Sequence, residues 1–412
     1  MKNYPLWKIF VVFIILSLGI IFAIPSLLYK EDTGSWYFDN RLNLGLDLQG
    51  GSYLLLEVQT DVLIKEEFEN FSDTVRIISR ENRVKINNID KQNDVLKVRF
   101  DSSEKLNTIR EEFLKNYRSV TFSITNNIAS ISIDEIYKKS IQDGAIKQSL
   151  EIVRKRIDES GTKEPLIQRS GRDRILLQLP GVKDPERIKD LLGKTAKLNF
   201  HMVDDDDTKS LSLNIAPFGR MIVSDISNEE IKYLLEKKSR VGGENLIDAY
   251  ASFDPTEGHA VSFRFDTTGA QKFGKATSEN IGKRFAVVLD GVVITAPVIN
   301  SAITGGSGII TGNFTSQEAT DLAVLLRAGA LPAPLEIVEE RSVGPGLGAD
   351  SIAAGKIASI IGMILVCIFM VLIYGSFGFI ANISLIANLF IIIALLGDRK
   401  STRLNSSHLV IS

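Results

Sequence analysis

The chain has little of what most protein chemistry is made from. Among its 412 residues there is one cysteine, Cys367, and there are three histidines, His201, His259 and His408. A lone cysteine excludes an intrachain disulfide framework, and its place in an apolar run says nothing of redox compartment. The histidines are too scattered to suggest a metal site. No Ser/His/Asp or Cys/His set is available, so neither catalysis nor a cofactor is expected. Neither sign of charge is in excess: 48 Lys and Arg against 50 Asp and Glu leave a net charge of −2. That describes an ordinary folded surface, and nucleic acid is not an expected partner.

Charge is missing altogether from two stretches near the ends, and these organise the chain. Nothing between Lys8 and Lys30 is charged. Residues 9–28 therefore match the roughly 20 apolar residues needed to cross a bilayer. A cleavable signal has an apolar region of only about 7–15 residues and a small-residue cleavage site, which is not evident here, so an uncleaved anchor is expected. Lys2 and Lys8 place residues 1–8 on the cytoplasmic side by the positive-inside rule. The second stretch, residues 357–397, is too long for one membrane helix. The turn chemistry of "YGSFG" divides it into expected transmembrane helices over 357–374 and 379–396. Polarity on these helices comes from Ser359, Asn382, Ser384 and Asn388, too little for the wet face of a soluble helix.

Between the anchors, residues 31–350 alternate strand-like and helix-like patterns. "SYLLLEVQT", a helical stripe through Leu63, Phe68, Phe71, Val75 and Ile78, "RVKINNI", "VLKVRF", a second helix and "SVTFSI" follow one another as β-α-β-β-α-β. That is the order of a ferredoxin-like unit. A less regular cycle begins at the helix "AIKQSLEIVRKRIDESG". A third contains "FAVVLDGVVITAPVI", whose Asp290-Gly291 is a strong type I′ hairpin signal. The expected fold class is thus an α+β membrane protein: one N-terminal transmembrane helix, a large external domain of ferredoxin-like units, and a transmembrane hairpin.

Three strings invite a chemical reading and do not sustain it. "GAQKFGKAT" at 269–277 nearly spells a P-loop, but Ala276 stands where a hydroxyl must reach magnesium, and the segment continues as an amphipathic helix. "HMVDDDD" at 201–207 lacks the glycine and spaced ligands of a calcium loop. "GPGLG" at 344–348 reads as a flexible hinge before the second membrane helix.

Longer strings carry a resemblance. "LGLDLQGG" at 44–51, "LRAGALPAP" at 326–334, "VGPGLGADSI" at 343–352 and "FGFIANISLIANL" in the third apolar helix closely resemble the SecD/SecF family of bacterial protein-export subunits, within the RND superfamily. The resemblance covers essentially residues 1–396. It implies a non-enzymatic, multi-pass subunit of the cytoplasmic (inner) membrane that promotes late-stage preprotein export with the proton motive force. The partners it implies are SecF, the SecYEG channel, indirectly SecA, the translocating preprotein and the lipid bilayer. The periplasmic domain would divide into a base, about 31–196 with 326–350, and a mobile head, about 197–325. Gly45, Asp47, Gly50 and Gly51 match the family's first motif, Gly344, Pro345 and Gly348 the motif before the second membrane helix, and Asn382 and Asn388 positions in the third. Structural roles are expected of them, since glycine permits close approach and amides cannot titrate. The acid expected to relay protons lies in a motif resembling "DANVL", which this chain lacks. The competing readings are an RND-type exporter of small molecules or lipids, which would carry two large external domains, and a tethered scaffold without energy coupling.

The ending, "DRKSTRLNSSHLVIS", does not fit the rest. Arg399, Lys400 and Arg403 would lie outside an outward-going helix, against the positive-inside bias. Residues 398–408 also spell the translation of a common short-read sequencing adapter, and 409–412 fit its barcode and continuation. Residues 398–412 are therefore expected to be adapter read as coding sequence, and the hairpin to be truncated from the six-helix RND-like bundle that the resemblance implies, with the proton-carrying helix not included. Resequencing the locus is expected to return a different continuation after Gly397; recovery of the same tail would refute this.

Overall fold

The computed structural model describes residues 6–27, 50–92, 94–162, 165–182, 184–217, 219–343 and 345–405. The chain forms two compact units, one of residues 53–341 and one that combines residues 1–52 with 342–412.

In chain order the elements begin with helix α1 (Leu6–Leu27), strand β1 (Gly51–Val58) and helix α2 (Thr60–Glu81). Next come β2 (Ile86–Gln92), β3 (Val95–Phe100), α3 (Leu106–Asn116), β4 (Val120–Thr125) and β5 (Ile128–Ile133). Then α4 (Glu135–Glu159) leads to β6 (Leu166–Ser170), β7 (Arg174–Pro180) and α5 (Pro185–Gly193). The following segment holds β8 (Leu198–Met202), the short α6 (Thr208–Leu213), β9 (Arg220–Ser224), β10 (Lys232–Glu236), β11 (Val241–Gly242), β12 (Leu246–Asp254) and β13 (Gly258–Phe265). It continues through α7 (Thr267–Glu279), β14 (Phe285–Leu289), β15 (Val292–Thr295), β16 (Ser307–Phe314) and α8 (Ser316–Ala328). The chain returns in β17 (Leu335–Val343) and passes into α9 (Pro345–Tyr374) and α10 (Ser376–Asn405).

A ferredoxin-like unit is present, but not where consecutive strands suggested it. The strand expected to open the first unit, β1, is absent from the sheet of its sequence neighbours, which runs β2-β3-β5-β4 and is antiparallel throughout. Instead β1 lies between β17 and β7 in a sheet ordered β17-β1-β7-β6. Read along the chain, β1, α4, β6, β7, α5 and β17 give β-α-β-β-α-β with the last strand beside the first. Two segments interrupt it, 59–134 after β1 and 194–334 after α5. The physical reason is edge occupancy: both edges of β1 are taken, and Leu54, Leu56 and Val58 are buried on one face. The place beside β3 is filled by β5, "IASISI", an alternating strand that went unread because serine fills its outward positions.

The first inserted segment has its own core. Phe68, Phe71 and Val75 of α2 meet Leu96, Val98 and Phe100 of β3, Phe113 of α3, and Ile131 of β5. Phe71 packs edge to face on Phe113 with centroids 5.6 Å apart. The second segment shares the core of the ferredoxin-like unit: Leu54, Leu177 and Ile157 belong to one apolar cluster with Phe200, Phe263, Phe273, Phe285 and Leu322. Phe200 stands at its centre, with four phenylalanine rings 5.5–5.8 Å away. Helix α8 is tied to the interrupted unit by Arg327–Glu159 (3.0 Å) and Arg187–Asp321 (2.7 Å). The Asp290-Gly291 hairpin forms as expected, with φ +50° and +84° in a two-residue loop between paired Leu289 and Val292. "GAQKFGKAT" lies inside α7, and Gly269 answers to packing: a Cβ there would sit 2.6 Å from the Asn245 Cβ.

In the other unit, α9 and α10 are 30 residues each, and Ala353–Tyr374 and Ser376–Leu395 are long and apolar enough to cross a membrane. The break between them is Gly375, at φ +56°. Gly378 permits close approach, since a Cβ there would lie 2.0 Å from the Met370 carbonyl oxygen. Helix α9 starts at Pro345, well before the expected 357, so Pro345 and Gly348 belong to its first turns and not to a hinge. Proline is suited to that place, because its missing N–H would be unsatisfied in any case. Helix α10 continues past 396 to Asn405, and residues 406–412 lie outside the described residues.

Phe200→Ala is expected to cost about 3–5 kcal/mol by emptying the centre of the phenylalanine cluster. Urea unfolding of the detergent-solubilised chain, followed by circular dichroism, checks the shift in midpoint.

Candidate functional site

Among the described residues, the motif residues picked out from the sequence do not assemble a reactive centre. Gly45, Asp47 and Gly344 lie outside the described residues. Gly50 and Gly51 enter β1 at φ +71° and +136°, a backbone path that side-chain-bearing residues rarely take, so glycine is needed there for conformation. Asn382 is buried in α10 and donates through Nδ2 to the Cys367 carbonyl (2.9 Å), stitching α10 to α9. Its Oδ1 has no hydrogen-bond partner among the described residues. Asn388, on the same helix, is exposed. Beside Asn382 runs an apolar groove of about 570 Å³ lined by Cys367, Val371, Phe379 and Ile386 among others. No Asp, Glu, His, Lys or Arg occurs between 357 and 397, so this hairpin offers no strong acid or base for carrying a proton.

A densely bonded polar cluster lies elsewhere, at the passage from α5 to β8. Arg156 projects from the last turns of α4 and is fully buried, on the same face as Ser149, Ile152, Val153 and Ile157. Its guanidinium donates to four backbone carbonyls: Nη1 to Leu191 (2.7 Å) and Lys194, and Nη2 to Thr195 (3.2 Å) and Gly329 (3.3 Å). The first three belong to the end of α5 and the segment that leads from it into β8. Gly329 caps α8, where the chain turns back toward β17, at φ +91°. The two crossings also bond directly, the Leu331 N–H to the Thr195 carbonyl (2.8 Å). One side chain thus holds both connections between the ferredoxin-like unit and its second insertion.

Asp290 completes the cluster from the hairpin tip. Its carboxylate accepts from the Thr195 hydroxyl, from the Ala196 N–H (2.9 Å) and from the Lys197 N–H (2.8 Å). Burial lowers the Arg156 pKa to about 10, with the charge of Asp290 acting the other way, so the guanidinium stays protonated near neutrality. Nearby, burial raises the Glu159 carboxyl while its partner Arg327 opposes the rise. Buried His201 on β8 donates from Nδ1 to the Glu236 carbonyl (2.8 Å), and desolvation lowers its pKa, favouring the neutral ring. Among the described residues no three His, Cys, Asp or Glu side chains converge as a metal site would require. The chemistry open to the cluster is mechanical: it positions chain segments. Arg156 was not singled out from the sequence, although 149, 152, 153, 156 and 157 trace one helical face. A basic residue inside an apolar stripe is the signal that could have found it.

Comparison with known proteins places these features. A family model described as the SecD/SecF GG motif matches residues 38–62, which contain Gly45, Asp47, Gly50 and Gly51. The model for the N-terminal P1 domain of protein translocase subunit SecDF matches 146–205, and that for the SecDF P1 head subdomain matches 220–333. Protein translocase subunit SecD of Rickettsia conorii is 43% identical over 98% of this chain and 78% of its own length. The subunit of the same name from Magnetococcus marinus is 38% identical over the same shares. The crystal structure of SecDF in its super-membrane-facing form is similar over 95% of this chain and 42% of that one, at 26% identity and a TM-score of 0.47.

Arg156→Lys keeps the charge and has a point-like ammonium in place of the planar fork, so it cannot reach all four carbonyls. The expected loss is on the order of 1–3 kcal/mol, from leaving buried carbonyls unpaired. It is read as a lowered urea midpoint against the parent chain.

Proposed function

The chain belongs to the SecD family of Sec protein-translocase subunits, and from that premise we propose how its parts serve preprotein export. Its role is that of an accessory to the Sec translocase, without a catalytic centre of its own. The first apolar segment, residues 9–28, anchors it with residues 1–8 in the cytoplasm, and the hairpin adds two further spans to a multi-pass arrangement in the inner membrane. Residues 31–350 then lie in the periplasm and engage the preprotein as it leaves the SecYEG channel, after SecA has started it, with SecF as the companion subunit. The proton motive force drives the cycle, and the proposal assigns proton carriage to groups outside residues 357–397, where no carboxyl occurs.

The observation that carries this reading is the likeness to SecD proteins across nearly the whole chain, apolar ends and intervening domain together. Sheet order supports a mechanical role for the domain. Strand β1, which follows the first apolar segment, and β17, which precedes the hairpin, are neighbours in one sheet. Between β17 and α9 stands the single residue Gly344. A pull on the domain would therefore pass through two adjacent strands of one sheet.

Depletion of the protein is expected to slow conversion of a secreted preprotein to its mature form, and an uncoupler is expected to add little once the protein is gone. Maturation as fast after depletion as before it, both with and without the uncoupler, would overturn the reading.

A further inference from the structure

We infer that Asp290 and Ala196 form a strained latch that sets the direction in which the chain passes from α5 into β8, with Arg156 as the fixed side of the joint. The inference rests on the geometry of residues 194–197. Ala196 is buried and has φ +60°, in the left-handed region that a residue with a Cβ enters only when its surroundings hold it there. The holding groups come from opposite sides. Thr195 gives its carbonyl to Arg156 Nη2 (3.2 Å) and to the Leu331 N–H (2.8 Å), both on the side of the ferredoxin-like unit or its return crossing. Its hydroxyl goes to Asp290, at the tip of the β14–β15 hairpin.

Beyond Thr195 the backbone bonds of Ala196 and Lys197 go to that hairpin, while the Lys197 side chain reaches Glu66 on α2 (2.7 Å, exposed). The Asp290 carboxylate takes the N–H groups of Ala196 and Lys197, and the Asp290 N–H returns a bond to the Lys197 carbonyl (3.1 Å). Strand β8 then pairs with β14, Leu198 opposite Leu289. The backbone torsions of Ala196 thus lie between a part fixed to α4 and a part fixed to the inserted sheet. The two fastenings differ in their access to water. The Arg156 side chain is fully buried, with its bond to the Leu191 carbonyl buried and those to Lys194, Thr195 and Gly329 partly buried, whereas the Asp290 bonds to Thr195 and Lys197 are at the surface, where water substitutes more readily. The joint therefore opens on the Asp290 side. Once released, Ala196 relaxes to negative φ and re-aims β8 together with the sheet β11-β8-β14-β15.

The test uses the full chain in nanodiscs, with Cys367→Ser and spin labels at Glu151→Cys on α4 and Lys275→Cys on α7, both exposed positions. Electron–electron double resonance of the parent should give one narrow distance distribution. Asp290→Ala should shift it or add a second population, at unchanged circular dichroism. Asp290→Ala with Ala196→Gly should return toward the parent mean, because glycine occupies positive φ without strain and has nothing to relax. A general loosening of the hairpin would not be reversed by that glycine. An unshifted Asp290→Ala distribution, or a double variant displaced as far as the single one, would overturn the latch. If Asp290→Ala does not fold, Asp290→Asn, which keeps the turn and one acceptor, must shift the distribution the same way by a smaller amount, and no shift would again overturn it. Export is not the readout, so failure here leaves the translocase role untouched.

Discussion

Burying a guanidinium is costly unless acceptors are brought to it, and the fold around Arg156 brings four carbonyls to Nη1 and Nη2, while Nε has no hydrogen-bond partner among the described residues. Helix α5 ends with carbonyls that have no partner within the helix, and Leu191 and Lys194 supply two of them to the buried cation. A positive charge at the carboxyl end of a helix is also favoured by the helix dipole. Each group answers the other's deficit, and the bonds to Thr195 and Gly329 extend the arrangement to both crossings. Without a charged group at that point, two loops separated by more than a hundred residues would have only the Leu331–Thr195 bond to register them.

The rest of the domain follows from that registration. Residues 194–334 are an insertion in a ferredoxin-like unit whose last strand, β17, must come back beside β1. Arg156 and the Leu331–Thr195 bond hold the two roots of that insertion to each other. The shared apolar cluster from Leu54 to Phe285 fills the space between unit and insertion, and α8, tied by Arg327–Glu159 and Arg187–Asp321, closes it. Residues 59–134, by contrast, have a self-contained core and return the chain into α4. The two insertions therefore differ in kind: one shares the core of the unit it interrupts, and the other carries its own.

For a subunit of the export machinery this arrangement has a direct use. Under the role proposed for it, the domain has to hold one segment in a defined direction against another. Polar groups are concentrated at the crossings, where direction is set. In the apolar hairpin, packing is joined by the amide of Asn382, which reaches the Cys367 carbonyl. Small residues at Gly375 and Gly378 allow its two helices to turn within one peptide of each other.

What the sequence determined by itself was local. Uncharged runs marked the apolar helices, Asp290-Gly291 marked its hairpin, and long motif strings marked the family, because each depends on neighbouring residues alone. The sequence also named the residues of the GG motif, of which Gly50 and Gly51 take the positive φ that only glycine accepts freely. Sheet partnership was decided by tertiary structure. The choice of β17 and β7 as neighbours of β1, over β2 and β3, depends on which edges are free after collapse, and strand order along the chain does not encode it. The site at Arg156 was hidden for the same reason. Its helical face was readable at 149–157, but its acceptors come from residues 191–195 and 329, and only the folded chain brings those carbonyls to one cation.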